Sequence, residues 1–526
     1  MGLDQVLLAQ KFSQNLKSMD ICDVYEKIPS LTKRDSNHAI RQRTIKSQLM
    51  KVFTSLVLVL FTCTLLAGQS ETGYHIQVQL EGYDQEQLFL GQHYGDKQYL
   101  LDTVVADSKG IFHFQGDEPK ECGVYLIILP PDNRYFQILL TEQEQHFSAH
   151  TNAADPGKDP HFTQAPDNEL FYKYIHFLED QKTEATRLQE LLDKEENEKK
   201  KEKLTEERNA IDEKVKTFQA DLIHKYPNTL TSLIVKANLP TELPEFDEQD
   251  EKELQMKRWL YSKAHYFDNL DLENPCMLRT PFLFQKVDQY VQKMVIQHPD
   301  TISKTIDEVL EKMKPAEETF KFYLIHFLGF YARSNIVGMD AVYVHLVEKY
   351  YATGQAPWTE EEQLNKIIDN AKALKPLLIG KIAPDIQLQT RDGQAVRLHE
   401  VDAEYTVLYF WRYDCGHCKK TTPEIKAFYE KFKDKGVKVV AICAKFSDEL
   451  PDCWKYIDEN EIGDWLHLVD PYHRSRFMTL YNIKTTPQIY VLDRNKEILS
   501  KRLGGDQLEE VIDKIIEMRE KENQDK

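Results

Sequence analysis

Cysteine is scarce in this sequence and positive charge is not in excess, and each shortage excludes a class of protein. Eight cysteines in 526 residues are too few for a fold that is built on disulfides. Acidic residues outnumber basic ones, which gives a formal net charge of -19. Nucleic acids and anionic membrane surfaces are themselves polyanions, so neither is expected to be a main partner of this chain.

Long hydrophobic runs are also rare. The run at residues 52–67 bears on the location of the protein. No charged residue interrupts it, small residues end it, and four basic residues precede it: Arg41, Arg43, Lys46 and Lys51. A positive flank followed by a short apolar run is typical of a secretory signal. Because the run is near the lower length limit for a membrane-spanning helix, residues 50–69 are predicted to be a signal peptide or a membrane anchor.

The start of the chain allows three interpretations. In the first, Met50 begins an ordinary signal peptide, and residues 1–49 are an upstream extension or follow a misplaced start codon. In the second, residues 1–49 are a cytoplasmic tail and residues 52–67 stay in the membrane. In the third, a lipid is attached at Cys63. Each interpretation places residues 70–526 outside the cytoplasm, where disulfides persist.

The chain is too long for one hydrophobic core, and its patterning changes twice. Residues 70–155 alternate apolar and polar side chains around turn signals, which predicts a small antiparallel β-domain, a sandwich or a barrel. Within it, the apolar run Val124–Leu129 is typical of a strand that is buried on both faces. Residues 165–376 follow the period of a helix and are predicted to form a mostly helical domain, with their histidines and aromatic residues in the core.

Strands and helices alternate in residues 378–522, which predicts a mixed sheet covered on both faces by helices. The expected elements are a hairpin around Asp392-Gly393, strands at 406–411, 437–442, 488–492 and 498–503, and helices at about 416–434, 451–460, 472–480 and 507–520. The predicted fold class is therefore multidomain. A small all-β sandwich and a mostly helical domain precede an α/β domain.

Two cysteines separated by two residues, Cys415 and Cys418, stand where a predicted strand gives way to a predicted helix. At the start of a helix, the unpaired backbone N–H groups and the positive end of the dipole favour a thiolate. Cys415 is therefore the expected nucleophile, and Cys418, one turn further along, is the expected resolving thiol. Gly416 and His417 lie between them, and a protonated His417 would stabilise the thiolate further and raise the reduction potential.

A second element of the predicted site is Thr486-Pro487, which comes just before an apolar strand. A cis bond before Pro487 would turn backbone groups of Thr486 towards Cys415, where they could pair with an extended substrate segment. Alone, Thr-Pro before a strand is weak evidence, and a trans turn is the commoner structure. Together with the upstream cysteine pair it becomes strong evidence for a redox site.

Cys443 and Cys453 have no role in this scheme. A zinc site at Cys415 and Cys418 would need a second pair of Cys or His residues at suitable spacing, and these two are a poor second pair, so no metal is predicted. They are expected to form a structural disulfide or a second redox pair, or to remain as two buried free thiols.

Several short segments of the C-terminal region together resemble one protein family. They are Gly380-Lys381-Ile382-Ala383-Pro384, Phe410-Trp411, Cys415-Gly416-His417-Cys418, Pro423 and Thr486-Pro487. With these segments the region resembles the TlpA/ResA type of thioredoxin-fold thiol-disulfide oxidoreductase of the bacterial envelope. The β-domain and the helical domain resemble uncharacterised N-terminal modules that are fused to such domains in secreted proteins of Bacteroidetes-like bacteria.

The sequence departs from this family at two positions near the thiols. Many relatives carry a glutamate where this chain has Thr421, and thioredoxins place a buried aspartate where it has Tyr409. The usual proton acceptors for Cys418 are therefore missing. Asp414 and Glu424 are candidate replacements, although both are expected to be exposed.

The resemblance implies an exported thiol-disulfide oxidoreductase of the periplasm or cell envelope of a Gram-negative bacterium. Protein thiols and disulfides and an envelope electron donor or acceptor are the expected partners, and the redox-active disulfide Cys415–Cys418 is expected to need no separate cofactor. One alternative is an envelope binding protein or scaffold in which the β and helical domains bind a partner and the redox domain is accessory. A peroxiredoxin-like peroxidase is less favoured, because Arg412-Tyr413-Asp414 precede Cys415 instead of a peroxide-binding proline and threonine or serine.

Overall fold

The computed structural model describes residues 73–524. These residues divide into two compact units, of which one comprises residues 73–271 and 276–285 and the other residues 272–275 and 286–524. The predictions for residues 1–49 and 50–69 concern segments outside the described residues. Among the helices of residues 73–524, none is both long and apolar enough to cross a membrane.

The first unit begins with two four-stranded sheets. Their strands are β1 (Tyr74–Glu81), β2 (Gln87–Tyr94), β3 (Lys97–Val105), β4 (Ile111–Gly116), β5 (Gly123–Leu129), β6 (Arg134–Leu140), β7 (His146–Asn152) and β8 (His161–Thr163). One sheet has the order β4-β1-β7-β8, and the other has the order β3-β2-β5-β6. Apolar side chains from both sheets share a core, and every residue of β5 is buried, as its apolar run predicted.

The N-terminal sheets are not antiparallel throughout. β1 pairs with β4 in antiparallel fashion but with β7 in parallel, from His75 opposite His146 to Glu81 opposite Asn152. Alternation along a strand shows which side chains face the core, and this period is the same for both pairing directions. The prediction of an antiparallel domain is therefore wrong for this pair, while the other pairs of the two sheets are antiparallel.

Helices follow the two sheets. Those of the first unit are α1 (Pro166–Lys194), α2 (Glu198–Lys225), α3 (Leu230–Ala237) and α4 (Glu251–Ala264). α1 and α2 pack together through the stacked rings of Phe177 and Phe218, whose centroids are 4.0 Å apart. The chain passes from one compact unit to the other at residues 272–286, within the predicted helical domain of residues 165–376, and the extent of that domain remains a prediction.

A disulfide between Cys122 and Cys276 closes the first unit on itself. Cys122 comes just before β5, the strand that is buried throughout, and the two cysteines are 154 positions apart in the sequence. No local pattern indicates such a pairing, because it depends on the tertiary fold. This crosslink was therefore not predicted from the sequence.

Replacing both Cys122 and Cys276 with alanine should lower the free energy of unfolding of the first unit by about 3–5 kcal/mol, because the crosslink limits the unfolded chain over a long loop. Hydrogen exchange of the β5 amides, followed by mass spectrometry, measures this loss. Replacing Cys443 and Cys453, which lie in the other unit, is the matched control and should leave β5 unchanged. Equal protection of β5 in both double variants would contradict the prediction.

The helices that follow along the chain are α5 (Leu283–Gln289), α6 (Pro299–Met313), α7 (Glu317–Ala332), α8 (Asp340–Leu346) and α9 (Glu361–Leu374). α5 continues into a π-helical turn at Tyr290–Met294 and α8 into another at Val347–Tyr351. These elements agree with the mostly helical character that was predicted for residues 165–376. They lead into the C-terminal sheet of the second unit.

The C-terminal region begins with a hairpin and continues as a five-stranded sheet. Its strands are β9 (Gln387–Gln389), β10 (Ala395–Arg397), β11 (Tyr405–Trp411), β12 (Val437–Cys443), β13 (Leu466–Leu468), β14 (Gln488–Asp493) and β15 (Ile498–Lys501), and its helices are α10 (Gly416–Phe432), α11 (Leu450–Glu459), α12 (Phe477–Leu480) and α13 (Leu508–Gln524). The sheet order is β13-β12-β11-β14-β15, in which β11 is parallel to β12 and antiparallel to β14. This is the predicted mixed sheet.

The central strand β11 contributes side chains to the hydrophobic cores on both faces of the sheet. Tyr409 and Trp411 enter the core that contains α10, whereas Leu408 and Phe410 enter the core on the opposite face. All of its residues are buried, so a shift of register by one residue would exchange these two sets. Because its register is fixed in this way, β11 also fixes the position of residues 412–415, which follow it and lead to α10.

One predicted helix is much shorter in the structure. Only Phe477–Leu480 is helical in the stretch 472–480, and the short strand β13 before it was not predicted. The carboxylate of Asp470 accepts hydrogen bonds from the backbone N–H groups of Arg474 and Ser475, which makes this stretch a turn. Local side-chain bonds of this kind compete with helix formation.

Candidate active site

The junction of β11 and α10 positions Cys415. Cys415 is the N-cap of α10, and its Sγ accepts a hydrogen bond from the backbone N–H of Cys418 at 3.2 Å. The predicted nucleophile therefore lies at the positive end of a helix. Its side chain is partly exposed, whereas Cys418 is fully buried, and both are free thiols.

The Thr486-Pro487 segment lies beside the same thiol. Its peptide bond is cis, as predicted from the sequence. The Cys415 thiol donates to the carbonyl oxygen of Thr486, with 3.2 Å between sulfur and oxygen. Both residues of the segment are partly exposed and come just before β14, the antiparallel neighbour of β11. The fold thus joins two predicted site segments that are 71 positions apart.

The two thiols bind protons with different affinity. Burial disfavours the charged form of Cys415, but hydrogen bonds from the Cys418 thiol and N–H, from the Thr486 side chain and from the His417 backbone outweigh it. The pKa of Cys415 is therefore lowered from its ordinary value. Burial, together with the hydrogen bond to Cys415, raises the pKa of Cys418 to about 12. The exposed thiol is the one that ionises more readily, which suits it for attack on a disulfide.

Two hydroxyl groups bind the backbone carbonyl oxygen of Cys418. The Tyr409 hydroxyl donates to the Cys418 carbonyl oxygen at 3.3 Å and lies 3.1 Å from the hydroxyl of Thr422, which donates to the same oxygen at 2.9 Å. Burial raises the pKa of Tyr409 far above its usual range, so its hydroxyl stays neutral and does not act as a base. Thr422 was not singled out from the sequence; its place four residues after Cys418 on α10 is the signal that could have identified it.

Asp414 and Glu424, the candidates for accepting the proton of Cys418, are both exposed, as expected. Arg412 donates two hydrogen bonds to the Asp414 carboxylate, at 2.8 and 2.9 Å, and the Lys445 ammonium lies 3.0 Å from it. The hydrogen bond from Arg412, followed by that from Lys445, holds the pKa of Asp414 well below its usual range. A carboxylate that is bound in this way is a poor proton acceptor.

Gly416 and His417 are the exposed first residues of α10. A Cβ atom at Gly416 would meet no atom within 4 Å, so the space around this residue is open. The backbone N–H of His417 helps to lower the pKa of Cys415, and any residue except proline would supply such a group at this position. The predicted influence of the imidazole on the reduction potential stays a prediction.

Cys443 and Cys453 form a disulfide, which is one of the alternatives that the sequence left open. It joins the end of β12 to α11, and both residues are buried in the core cluster that also contains Cys418. A second redox role for this pair stays a prediction. Within residues 73–524, no three or more His, Cys, Asp or Glu side chains are grouped so that they could hold a metal ion.

The fold and the paired thiols together define the class of protein. A mixed five-stranded sheet carries a free, partly exposed thiol at the start of a helix, a buried thiol one turn later, and a cis-proline segment against the first of them. These are the features of a thioredoxin-like oxidoreductase.

Comparison with known proteins agrees with this class. Residues 379–501 match the model of the AhpC/TSA family, and residues 189–374 match a model described as a domain of unknown function, DUF5106. The thiol-disulfide oxidoreductase ResA of Oceanobacillus iheyensis is 29% identical over 145 residues, which are 26% of this chain and 72% of that protein. The C-terminal domain is a TlpA/ResA-like thioredoxin-fold oxidoreductase.

Two solved structures are also similar to this chain. A domain of a possible thiol-disulfide isomerase from Cytophaga hutchinsonii is 36% identical; the match covers 29% of this chain and 99% of that one, with a TM-score of 0.26. A thioredoxin-like protein from Bacteroides caccae is 20% identical; the match covers 52% of this chain and 96% of that one, with a TM-score of 0.41.

Proposed function

We propose that this protein is an exported thiol-disulfide oxidoreductase in which Cys415 attacks a disulfide of a client protein and Cys418 resolves the product. The contrast between the two thiols carries this proposal. Cys415 is partly exposed at a helix N-terminus with a lowered pKa, and Cys418 is buried with a raised one. Only the first can reach a protein substrate, and only the second is shielded from competing reactions.

The exchange takes place in two balanced steps. The Cys415 thiolate attacks one sulfur of the client disulfide, a Cys415–client bond forms, and the other client sulfur leaves as a thiolate that takes up a proton. Cys418 then loses its proton and attacks the sulfur of Cys415. The Cys415–Cys418 disulfide forms, and the client leaves as a dithiol with two more electrons. The reverse sequence oxidises a client, and neither direction needs a separate cofactor.

The backbone next to Pro487 is suited to hold the client in this exchange. The Thr486 carbonyl oxygen lies 3.2 Å from Cys415 Sγ, so a client strand that pairs with this segment would bring its own sulfur to the nucleophile. A Cβ atom at Gly416 would meet no atom within 4 Å, so no other part of the described chain covers the residue next to Cys415. Thr486 and Pro487 are therefore proposed as binding residues and not as reacting ones.

An extracytoplasmic location fits the other cysteines. The structure contains two further disulfides, Cys122–Cys276 and Cys443–Cys453, and disulfides of this kind persist in oxidising compartments. We therefore place the protein in the periplasm or cell envelope of a Gram-negative bacterium, exported or anchored by residues 50–69. There it would exchange electrons with an envelope donor or acceptor.

Trapping of the intermediate tests the proposal. Cys418→Ser, incubated with glutathione disulfide, should accumulate an adduct of one glutathione on Cys415 that dithiothreitol removes, because the attacking thiol is present and the resolving thiol is absent. Intact-protein and peptide mass spectrometry measure it. The Cys415→Ser/Cys418→Ser double variant is the control and should gain no adduct at residue 415. An adduct that forms on another cysteine in place of Cys415 would overturn the assignment.

A further inference from the structure

The Cys443–Cys453 disulfide closes a short loop beside the active site. The disulfide encloses residues 444–452, of which residues 444–449 form the loop that connects β12 to α11. Cys443 is paired with Trp411 across the sheet, and the backbone N–H of Ala444 donates to the Trp411 carbonyl oxygen at 2.8 Å. The residue after Ala444 therefore emerges next to the segment that leads from β11 to the nucleophile.

That residue is Lys445, whose side chain is unusually enclosed for a lysine on a loop. Its side chain is only 11% exposed, and its ammonium lies 3.0 Å from a carboxylate oxygen of Asp414. It also forms an ion pair with Glu449, within the same loop, and lies over the ring of Tyr413 at 5.2 Å. Removing a charge from water is costly unless partners compensate it, so these contacts fix the ammonium in place.

Asp414 is the residue directly before the nucleophile. A carboxylate at this position repels a thiolate on Cys415, unless neighbouring cations neutralise it. Arg412 supplies one cation from the same segment, and Lys445 supplies the other from the disulfide-closed loop. The titratable and charged groups that interact directly with Cys415 are Arg412, Tyr409 and Cys418. Asp414 precedes Cys415 in the chain, Glu449 pairs with Lys445, and His417, Lys419 and Lys420 follow Cys415 on α10.

We propose that Lys445 is a positioning residue for thiol-disulfide exchange, and that the Cys443–Cys453 disulfide holds the loop that presents its ammonium to Asp414. The pair of cations offsets the carboxylate charge next to Cys415 and so favours ionisation of the nucleophile. The inference rests on the proposed function in one respect, which is that Cys415 is the nucleophile. It gives the buried disulfide a role in reactivity in addition to any role in stability.

The pH dependence of Cys415 alkylation tests this inference. The full-length protein is first reduced under conditions that leave Cys443–Cys453 closed, as peptide mapping verifies. The rate of iodoacetamide addition to the Cys415 peptide is then followed by mass spectrometry from pH 5 to 10. Lys445→Met should move the midpoint upward by about half a pH unit, and alkylation below the midpoint should become about threefold slower.

Three further variants separate charge from structure. Lys445→Arg keeps the cation and should return the midpoint to that of the wild type. Lys455→Met is the matched control, because Lys455 is an exposed lysine of α11 that pairs with Glu459 at 3.9 Å, and it should have no effect. In a Cys443→Ala/Cys453→Ala background the midpoint should already be raised, and Lys445→Met should then add less than it does in the wild type.

The possible failures are distinguishable. If wild-type Cys415 is not alkylated faster than an ordinary thiol at neutral pH, the proposed function itself fails. If wild-type Cys415 is reactive but Lys445→Met leaves the midpoint within experimental error, the positioning role of Lys445 is wrong. If Lys445→Met raises the midpoint fully in both backgrounds, Lys445 acts but the disulfide does not hold it.

Discussion

Replacing Asp340 with alanine should lower the free energy of unfolding of the second unit by about 3–5 kcal/mol, because the change leaves a buried lysine without its counter-charge. Asp340 begins α8, and its carboxylate lies 2.5 Å from the ammonium of Lys501 at the end of β15. The side chains are only 7% and 3% exposed. Burial already lowers the pKa of Lys501 in the intact pair. Urea unfolding followed by tryptophan fluorescence measures the effect.

Two variants make this prediction specific to the buried pair. Asp369→Ala removes an aspartate of α9 that pairs with Lys372, and both of these side chains are more than 70% exposed. This control should lower the free energy of unfolding by less than about 0.5 kcal/mol. Asp340→Ala combined with Lys501→Met removes both charges and should recover most of the loss. A double variant as unstable as Asp340→Ala alone would show that the ion pair itself is not the cause.

Replacing Cys415 with serine should lower the rate of insulin reduction by at least about 1,000-fold, because a hydroxyl is neither ionised near neutral pH nor able to form a disulfide. The same change should leave the free energy of unfolding unchanged or slightly raised. Cys415 is the N-cap of α10, and serine is among the residues that cap helices best. The two measurements therefore separate a lost nucleophile from a damaged fold.

Cys418→Ser is the companion variant. It should keep the first attack, at a rate within about tenfold of the wild type in a single turnover, and lose multiple turnovers with a client that depends on resolution. Stopped-flow measurement of release of the first client thiol distinguishes the two steps. A Cys415→Ser protein that still released this thiol at the wild-type rate would assign the attack to another residue.

The sequence predicted those parts of the structure that depend on neighbouring residues. The uninterrupted apolar run of β11, the cysteine pair at the start of α10 and the Thr-Pro before β14 are local signals, and all three are where they were predicted. Each consists of a side-chain period or of residues with a fixed spacing. These local signals were therefore enough to predict the position of the candidate site without knowledge of the fold.

What the sequence did not predict depends on pairs of residues that the fold brings together. Cys122 and Cys276 are joined across 154 positions, and the parallel pairing of β1 with β7 has the same side-chain period as an antiparallel one. Lys445 is another example, because nothing in its neighbours shows that its ammonium reaches Asp414. From the sequence, Tyr409 was noted only because it stands where thioredoxins have a buried aspartate. The structure shows that its hydroxyl contacts the Cys418 carbonyl oxygen and the Thr422 hydroxyl.

The depth at which Cys418 is buried affects how long a client stays attached. Near neutral pH, a thiol whose pKa is raised to about 12 is almost entirely protonated. Attack by Cys415 on a client would remove the hydrogen bond between the two thiols, but burial, the larger cause of this high pKa, would remain. We therefore expect a long residence time for the mixed disulfide. A client with a second cysteine of its own then has time to attack and rearrange before it is released.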